Sequence, residues 1–203
     1  MKNLDKTIIR FKQSIADSIE VKQALLMDNT LVESIATVSM HIVTAINRGN
    51  RVIFAGNGGS AADAQHLAAE FVSRFEFDRP GLPAMSLSTD TSMITAIGND
   101  YGYERIFQRQ LQAQARPGDV FVGITTSGKS PNVLRAFEAC KELQVSSIAL
   151  CGLGGELNNK VDYALQAPSF HTPRIQECHI LIGHMICAEV ELQIFGNLDS
   201  EKS

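Results

Sequence analysis

A histidine and a glutamate four residues apart, His66 and Glu70, stand in the stretch AGNGGSAADAQHLAAEF, just after a glycine cluster. Residues at i and i+4 share one face of an α-helix, so the pair can address a single point. Two uses follow: transfer of a proton, or ligation of one cation. A solvated helix contact is the commoner role of such a pair on its own, and what precedes it is therefore informative. Gly56, Gly58 and Gly59 allow close approach to the backbone between a strand and a helix. There the free N–H groups and the dipole of the helix favour an anion. A second turn of the same kind, GITTSGKS at residues 123–130, also joins a strand to a helix.

Each turn matches a known pattern when taken alone. GNGGSA fits the dinucleotide fingerprint through Gly56, Gly58 and Ala61, but the acidic residue expected at the end of the next strand is missing, because Glu76 and Asp78 precede that strand. GITTSGKS fits the triphosphate loop in full, yet no apolar strand ends in an aspartate placed to hold magnesium. A third reading uses both turns at once, as a cradle for a single phosphate monoester held by neutral donors. It accounts for the density of hydroxyls at Ser60, Thr125, Thr126, Ser127 and Ser130. Ser60, with Asp63 three residues on, is also expected to cap its helix.

Partners for His66 and Glu70 occur in the last apolar segment, TPRIQECHILIGHMICAEVELQIF, which carries Gln176, Glu177, His179, His184 and Glu189. At about 100° per residue, His184 lies roughly 80° to one side of Gln176 and His179 roughly 60° to the other. Geometry admits either histidine, and a buried histidine satisfied within the core is the ordinary alternative.

The elements that must position these residues alternate. Leu4, Ile8, Phe11, Ile15 and Ile19, then Val32, Ile35, Val38, Ile42 and Ile46, mark two amphipathic N-terminal helices, the second capped by Asn29 or Thr30. Strands are expected at RVIFAG, AMSLS, DVFVGIT, SSIALCG and DYALQAP. Helices are expected from Ser60 to about Arg74, near Thr91 to Ile97, over 103–115 and 131–144, in a short glycine-bounded piece after SSIALCG, and through the last segment with Pro173 in its first turn. GNDYG is expected as a turn. This order implies an α/β fold, a five-stranded parallel sheet with helices on both faces, whose ligands bind beyond the carboxyl ends of the strands.

With 203 residues, 44% of them hydrophobic, the chain suits one domain with a substantial core. A net charge of −4 with interspersed signs offers no basic stripe for nucleic acid. The N-terminus lacks a signal-peptide pattern, and the apolar stretches are interrupted before the roughly 20 residues a bilayer needs. A cytoplasmic protein that binds no membrane is expected. Cys140, Cys151, Cys178 and Cys187 form no C-x-x-C pair and read as buried, inert thiols.

Four stretches, GNGGSAADAQHLAAEF, TAIGNDYGYE, GDVFVGITTSG and TPRIQECHILIGH, closely resemble the phosphoheptose isomerases of the sugar isomerase (SIS) fold. The resemblance implies a single SIS domain over residues 1–203, with residues 1–48 as N-terminal helices serving core and oligomer packing. It implies one zinc ion per subunit, held by His66, Glu70, Gln176 and His184. Substrate contacts are implied for Asn57, Gly58, Gly59, Ser60, Glu70, Asn99, Asp100, Thr125, Thr126, Ser127, Ser130 and Gln176. Asp100 also has a plain reading as a turn residue. Glu70 would be the base and His184 the acid in converting sedoheptulose 7-phosphate to D-glycero-D-manno-heptose 7-phosphate through an enediol, on the way to bacterial surface polysaccharide. A homotetramer with active sites near its interfaces is implied as well. Lys129 departs from the asparagine usual in the family, and that substitution creates the triphosphate-loop pattern. The rival class is a non-catalytic SIS protein that binds a sugar phosphate or a protein for regulation, and such relatives tend to lack the Glu70 and His184 pair.

Overall fold

Every residue of Val52–Gly56 (β1) and Val120–Thr125 (β3) is buried. Strands covered on both faces read as unbroken apolar runs, and these two do. The computed structural model describes residues 2–155 and 157–199. With Ala84–Ser86 (β2), Ser146–Gly152 (β4) and Tyr163–Ala167 (β5), they make one parallel five-stranded sheet in the order β2-β1-β3-β4-β5.

Alternation along the strands feeds two layers. Val52, Phe54, Val122, Ile124, Ile148 and Leu150 pack beneath Asn29–Asn47 (α2), Gly59–Val72 (α3) and Thr172–Asp199 (α7). Ile53, Ala55, Phe121 and Ala149 face the other way, toward Ile106–Gln114 (α5) and Pro131–Leu143 (α6), with Ile94 and Ile97 of Thr91–Tyr101 (α4) beside them. The first helix, Lys2–Met27 (α1), gives Leu25 to the core. Its stripe of Leu4, Ile8, Phe11, Ile15 and Ile19 remains 43% to 65% exposed.

From β1 the chain passes to β2 on one side and then returns to place β3 on the other. The connections after β1 and β3 therefore diverge and leave a crevice at their carboxyl ends. Gly56 pairs in register with Ile124, so both loops depart at nearly the same level.

Several local expectations are corrected. Asp28, rather than Asn29 or Thr30, caps α2, its carboxylate accepting from Leu31 N at 3.0 Å. GNDYG is no turn, because α4 continues to Tyr101; Asp90 caps its start and inward-facing Ile94 and Ile97 outweigh the modest helix penalties of Gly98, Asn99 and Asp100. A 3₁₀ turn, Tyr103–Arg105, precedes α5 where a continuous helix was expected. After β4 the described residues form turns instead of a short helix, with Glu156 outside the description. The residues Thr172–Gly196 of α7 are long and apolar enough to cross a bilayer, contrary to the reading of interrupted stretches. That apolarity is used inside the protein, where Ile175, Cys178, Ile182, Ile186 and Val190 pack on the sheet.

All four cysteines are free and buried. Burial pushes the Cys140 and Cys187 thiols up to about 12 and that of Cys151 to about 11, which suppresses the thiolate.

Helices α3 and α7 meet where Gly183 has no side chain. A Cβ there would lie 2.5 Å from Cδ2 and 2.7 Å from Cδ1 of Leu67, which is itself 1% exposed and would have to shift within the core. Gly183→Ala is expected to cost about 1–3 kcal/mol through overpacking, read as a lowered urea midpoint at unchanged slope. An unchanged midpoint would show that the helices have room to part.

His179 is fully buried, and its ring nitrogens find no hydrogen-bond partner among the described residues. Burial lowers its pKa from 6.5 to about 4. Between those values the unfolded chain holds a proton that the folded chain refuses, so stability falls as pH drops through the window, by about 3 kcal/mol in all. His179→Leu should flatten the decline measured by urea unfolding from pH 7 to pH 4. A decline parallel to that of the unsubstituted protein would contradict this.

Candidate active site

Asp28 and Asp90 cap α2 and α4 with side-chain oxygens. No N-cap side chain caps α3, α5 or α6; α5 continues directly from the 3₁₀ turn, whereas α3 and α6 open onto the crevice. The first N–H groups of a helix have no acceptor in the preceding turn. Here Ser60 and Ala61 turn theirs back to Asn57 O and Gly58 O, Val133 bonds Ser130 O, and Pro131 has none. That leaves the N–H groups of Gly59 and Asn132 at the two termini for an occupant of the crevice. Gly58 is the N-cap of α3 and has φ 56°, a left-handed conformation that glycine adopts without strain. Ser60 is therefore not the cap; it lies buried inside the first turn, its N–H donating to Asn57 O at 3.0 Å.

Across the crevice, Thr125 ends β3 and is buried, and its Oγ1 lies 2.9 Å from Ser130 Oγ. That contact turns Ser130 away from its own helix. Ser127 is exposed and accepts from the backbone N–H of Lys129 at 3.2 Å, while Thr126 is half-buried with its carbonyl accepting from Gly152 N. The triphosphate-loop reading fails on geometry here: its first glycine, Gly123, lies inside β3 against Phe137, which leaves a loop too short to wrap three phosphates.

Asn57 joins the two sides. Its amide donates to Asn132 Oδ1 at 2.9 Å and accepts from Asn132 Nδ2 at 2.8 Å, and Tyr103 OH donates to Asn57 Oδ1 at 3.0 Å. Asn132 and Tyr103 were not singled out in the sequence, although both lie within or beside the stretches that carry the resemblance. Their signal was only an amide just inside a helix start and a phenol after a glycine. Asn99 and Asp100 sit exposed in the last turn of α4, bonded to each other at 2.8 Å, and make no hydrogen bond to the cradle.

One layer over, α3 and α7 bring the two expected histidines together. His66 Nε2 lies 2.9 Å from His184 Nε2 and 3.4 Å from Glu70 Oε1. The ring of Phe75 leans on His184, with centroids 5.3 Å apart. Among the described residues, no group of three or more His, Cys, Asp and Glu side chains is arranged so as to hold a metal ion. Instead His66 is the common neighbour of Glu70 and His184. Gln176 stands apart from them, its amide against Gly59. Gly59 precedes His66 by seven residues, roughly 10 Å of helix.

The remaining candidates on α7 have other tasks. Glu177 binds Arg174 at 2.6 Å, Lys22 at 3.4 Å and Ser18 at 2.6 Å, tying α7 to α1. Burial pushes its carboxyl up, but the hydrogen bond from Ser18 and the two cations outweigh this and hold it low. Glu189 accepts from Gln193, and His179 faces the core. A cavity of about 470 Å³ lined by Lys141, Gln144, Lys160 and Asp162 lies at the amino ends of β4 and β5, on the opposite sheet edge.

A family model described as SIS domain matches residues 13–152. Phosphoheptose isomerase 2 of Campylobacter jejuni is 56% identical over 197 residues, covering 97% of this chain and 96% of that protein. The phosphoheptose isomerase of Aneurinibacillus thermoaerophilus is 55% identical over 187 residues, covering 92% and 94%. In three dimensions the chain is similar to a phosphoheptose isomerase of Neisseria gonorrhoeae, with TM-score 0.84 at 40% identity, covering 91% of this chain and 98% of that one. The two N–H-rich loops and the facing histidines thus occur in a chain that belongs to the SIS domain family and, within it, to the phosphoheptose isomerases.

Proposed function

We propose that this protein is an aldose–ketose isomerase that converts sedoheptulose 7-phosphate to D-glycero-D-manno-heptose 7-phosphate. The observation that carries this reading is a distance. The start of α3 at Gly59 and His66 are separated by roughly 10 Å of helix, and an open seven-carbon chain with its terminal phosphate spans about 10 Å from C1 to phosphorus at tetrahedral bond angles. The phosphate rests on the first turns of α3 and α6 and on the hydroxyls of Ser60, Thr125, Thr126, Ser127 and Ser130. C1 and C2 then lie beside Glu70 and His184, and fixing the far end of the sugar removes much of its freedom before chemistry begins.

Glu70 takes a proton from C1 while His184 gives one to O2, forming the enediol. Glu70 returns its proton to C2 as His184 recovers one from O1, and no proton is gained or lost overall. Two imidazole nitrogens and a carboxylate are a donor set that suits zinc with a position left open. His66, Glu70 and His184 would hold the ion, and Gln176 is the further ligand that the resemblance implies. Bound zinc would polarise the sugar carbonyl.

The exposed apolar stripe of α1 supports self-association, and we assign it to packing in a homotetramer. A cytoplasmic location fits the four free, buried cysteines.

Glu70→Gln should lower kcat for sedoheptulose 7-phosphate by at least about 100-fold while leaving the melting temperature near that of the parent. Undiminished turnover would remove Glu70 as the base. Dialysis against a chelator should abolish most turnover, and added zinc should restore it with one metal bound per chain. Full turnover by protein shown to be metal-free would refute the zinc assignment.

A further inference from the structure

Glu191 is fully buried, and so is the Arg79 side chain that meets it, Nε to Oε1 at 2.8 Å. Buried ion pairs add little stability relative to apolar residues of the same shape, so the reason for this one lies in what else it touches. Arg79 Nη2 donates to the backbone carbonyl of Glu70 at 2.8 Å, and Nη1 donates to the carbonyls of Phe71, Ser73 and Pro80 at 2.6, 3.0 and 3.1 Å. The guanidinium thus closes the C-terminus of α3, where free carbonyls and the helix dipole both favour a cation. Glu191 accepts from Phe75 N at 2.9 Å and Glu76 N at 2.7 Å, fixing the segment that follows α3. Burial pushes its carboxyl up, yet those two N–H groups and Arg79 outweigh burial and keep it ionised.

The same link reaches the other half of the candidate site. Glu191 follows His184 by seven residues, two turns along one face of α7. Phe75, held by Glu191, packs its ring against that of His184.

We infer that Arg79 and Glu191 are positioning residues of the isomerase: their ion pair sets how the end of α3 bearing Glu70 is placed against the stretch of α7 bearing His184. This rests on the assignment of Glu70 and His184 as base and acid. An apolar pair can supply equal packing but cannot bond the Glu70 carbonyl or the Phe75 and Glu76 N–H groups. The phosphate cradle lies at the opposite end of α3 and is untouched by the link.

The test is the double variant Arg79→Met/Glu191→Leu beside Glu191→Gln, assayed with sedoheptulose 7-phosphate. The expected result for the double variant is a lowered but still cooperative melting transition, because the backbone groups bonded by the pair lose their partners, with kcat reduced 10- to 100-fold and KM within twofold. Glu191→Gln, which leaves the Arg79 cation buried without its counter-charge and turns an amide NH2 toward an N–H donor, should lose kcat at least as far, and parental kcat in it also overturns the inference. A folded double variant with kcat within twofold of the parent, or one whose KM rises while kcat holds, overturns the inference. If the double variant does not fold, single Arg79→Lys decides by the same split: reduced kcat at unchanged KM supports positioning, and parental kcat overturns it. Glu70→Gln assayed in parallel separates the two ideas. An inactive Glu70→Gln with a fully active double variant removes only the positioning role, whereas an active Glu70→Gln removes the base itself.

Discussion

The close approach of α3 and α7 is the constraint on which the site depends. Gly183 lets Leu67 sit against the α7 backbone, and the adjacent residues His66, before Leu67, and His184, after Gly183, then face each other at 2.9 Å. The start of α3 is held near α7 by Gln176 against Gly59, and its end by Arg79 and Glu191. Contacts along the whole of α3 therefore fix one helix against the other, with His66 and His184 in the middle.

The sheet supplies the second half of the arrangement. Reversal of strand order between β1 and β3 opens a crevice, and the helices that follow both strands leave their N-termini without side-chain caps. An uncapped first turn costs about 1 kcal/mol where solvent alone replaces the cap. At two adjacent loops beyond the carboxyl ends of the strands, the same deficiency leaves N–H groups of the kind that suit an anion. The hydroxyl pair Thr125 and Ser130 shows the same preference, since Ser130 turns toward the crevice in place of capping α6.

Much of the architecture was legible because its signals are local. Continuous apolar runs bounded by glycine gave β1, β3 and β4 within a residue or two. Errors fell where tertiary packing outweighed local chemistry. Asn99 and Asp100 look like turn residues, yet α4 carries them because Ile94 and Ile97 gain more by packing in a helix. Ser60 resembles a cap, but the backbone turns a residue earlier, at Gly58.

The candidate site divides along the same line. His66 and Glu70 share a face by helical period alone, and the two loops announce themselves by glycine and hydroxyl content, so the sequence by itself determined the chemistry on offer and the edge it serves. It could not choose between His179 and His184, which helical angle leaves equally available. Tertiary structure decided that, burying one beneath β4 and aiming the other at His66. It also decided the roles of Asn132, Tyr103, Arg79 and Glu191, because each acts on a residue 46 to 112 positions away. Such contacts depend on how helices dock on a twisted sheet, and no pattern of neighbouring residues records that.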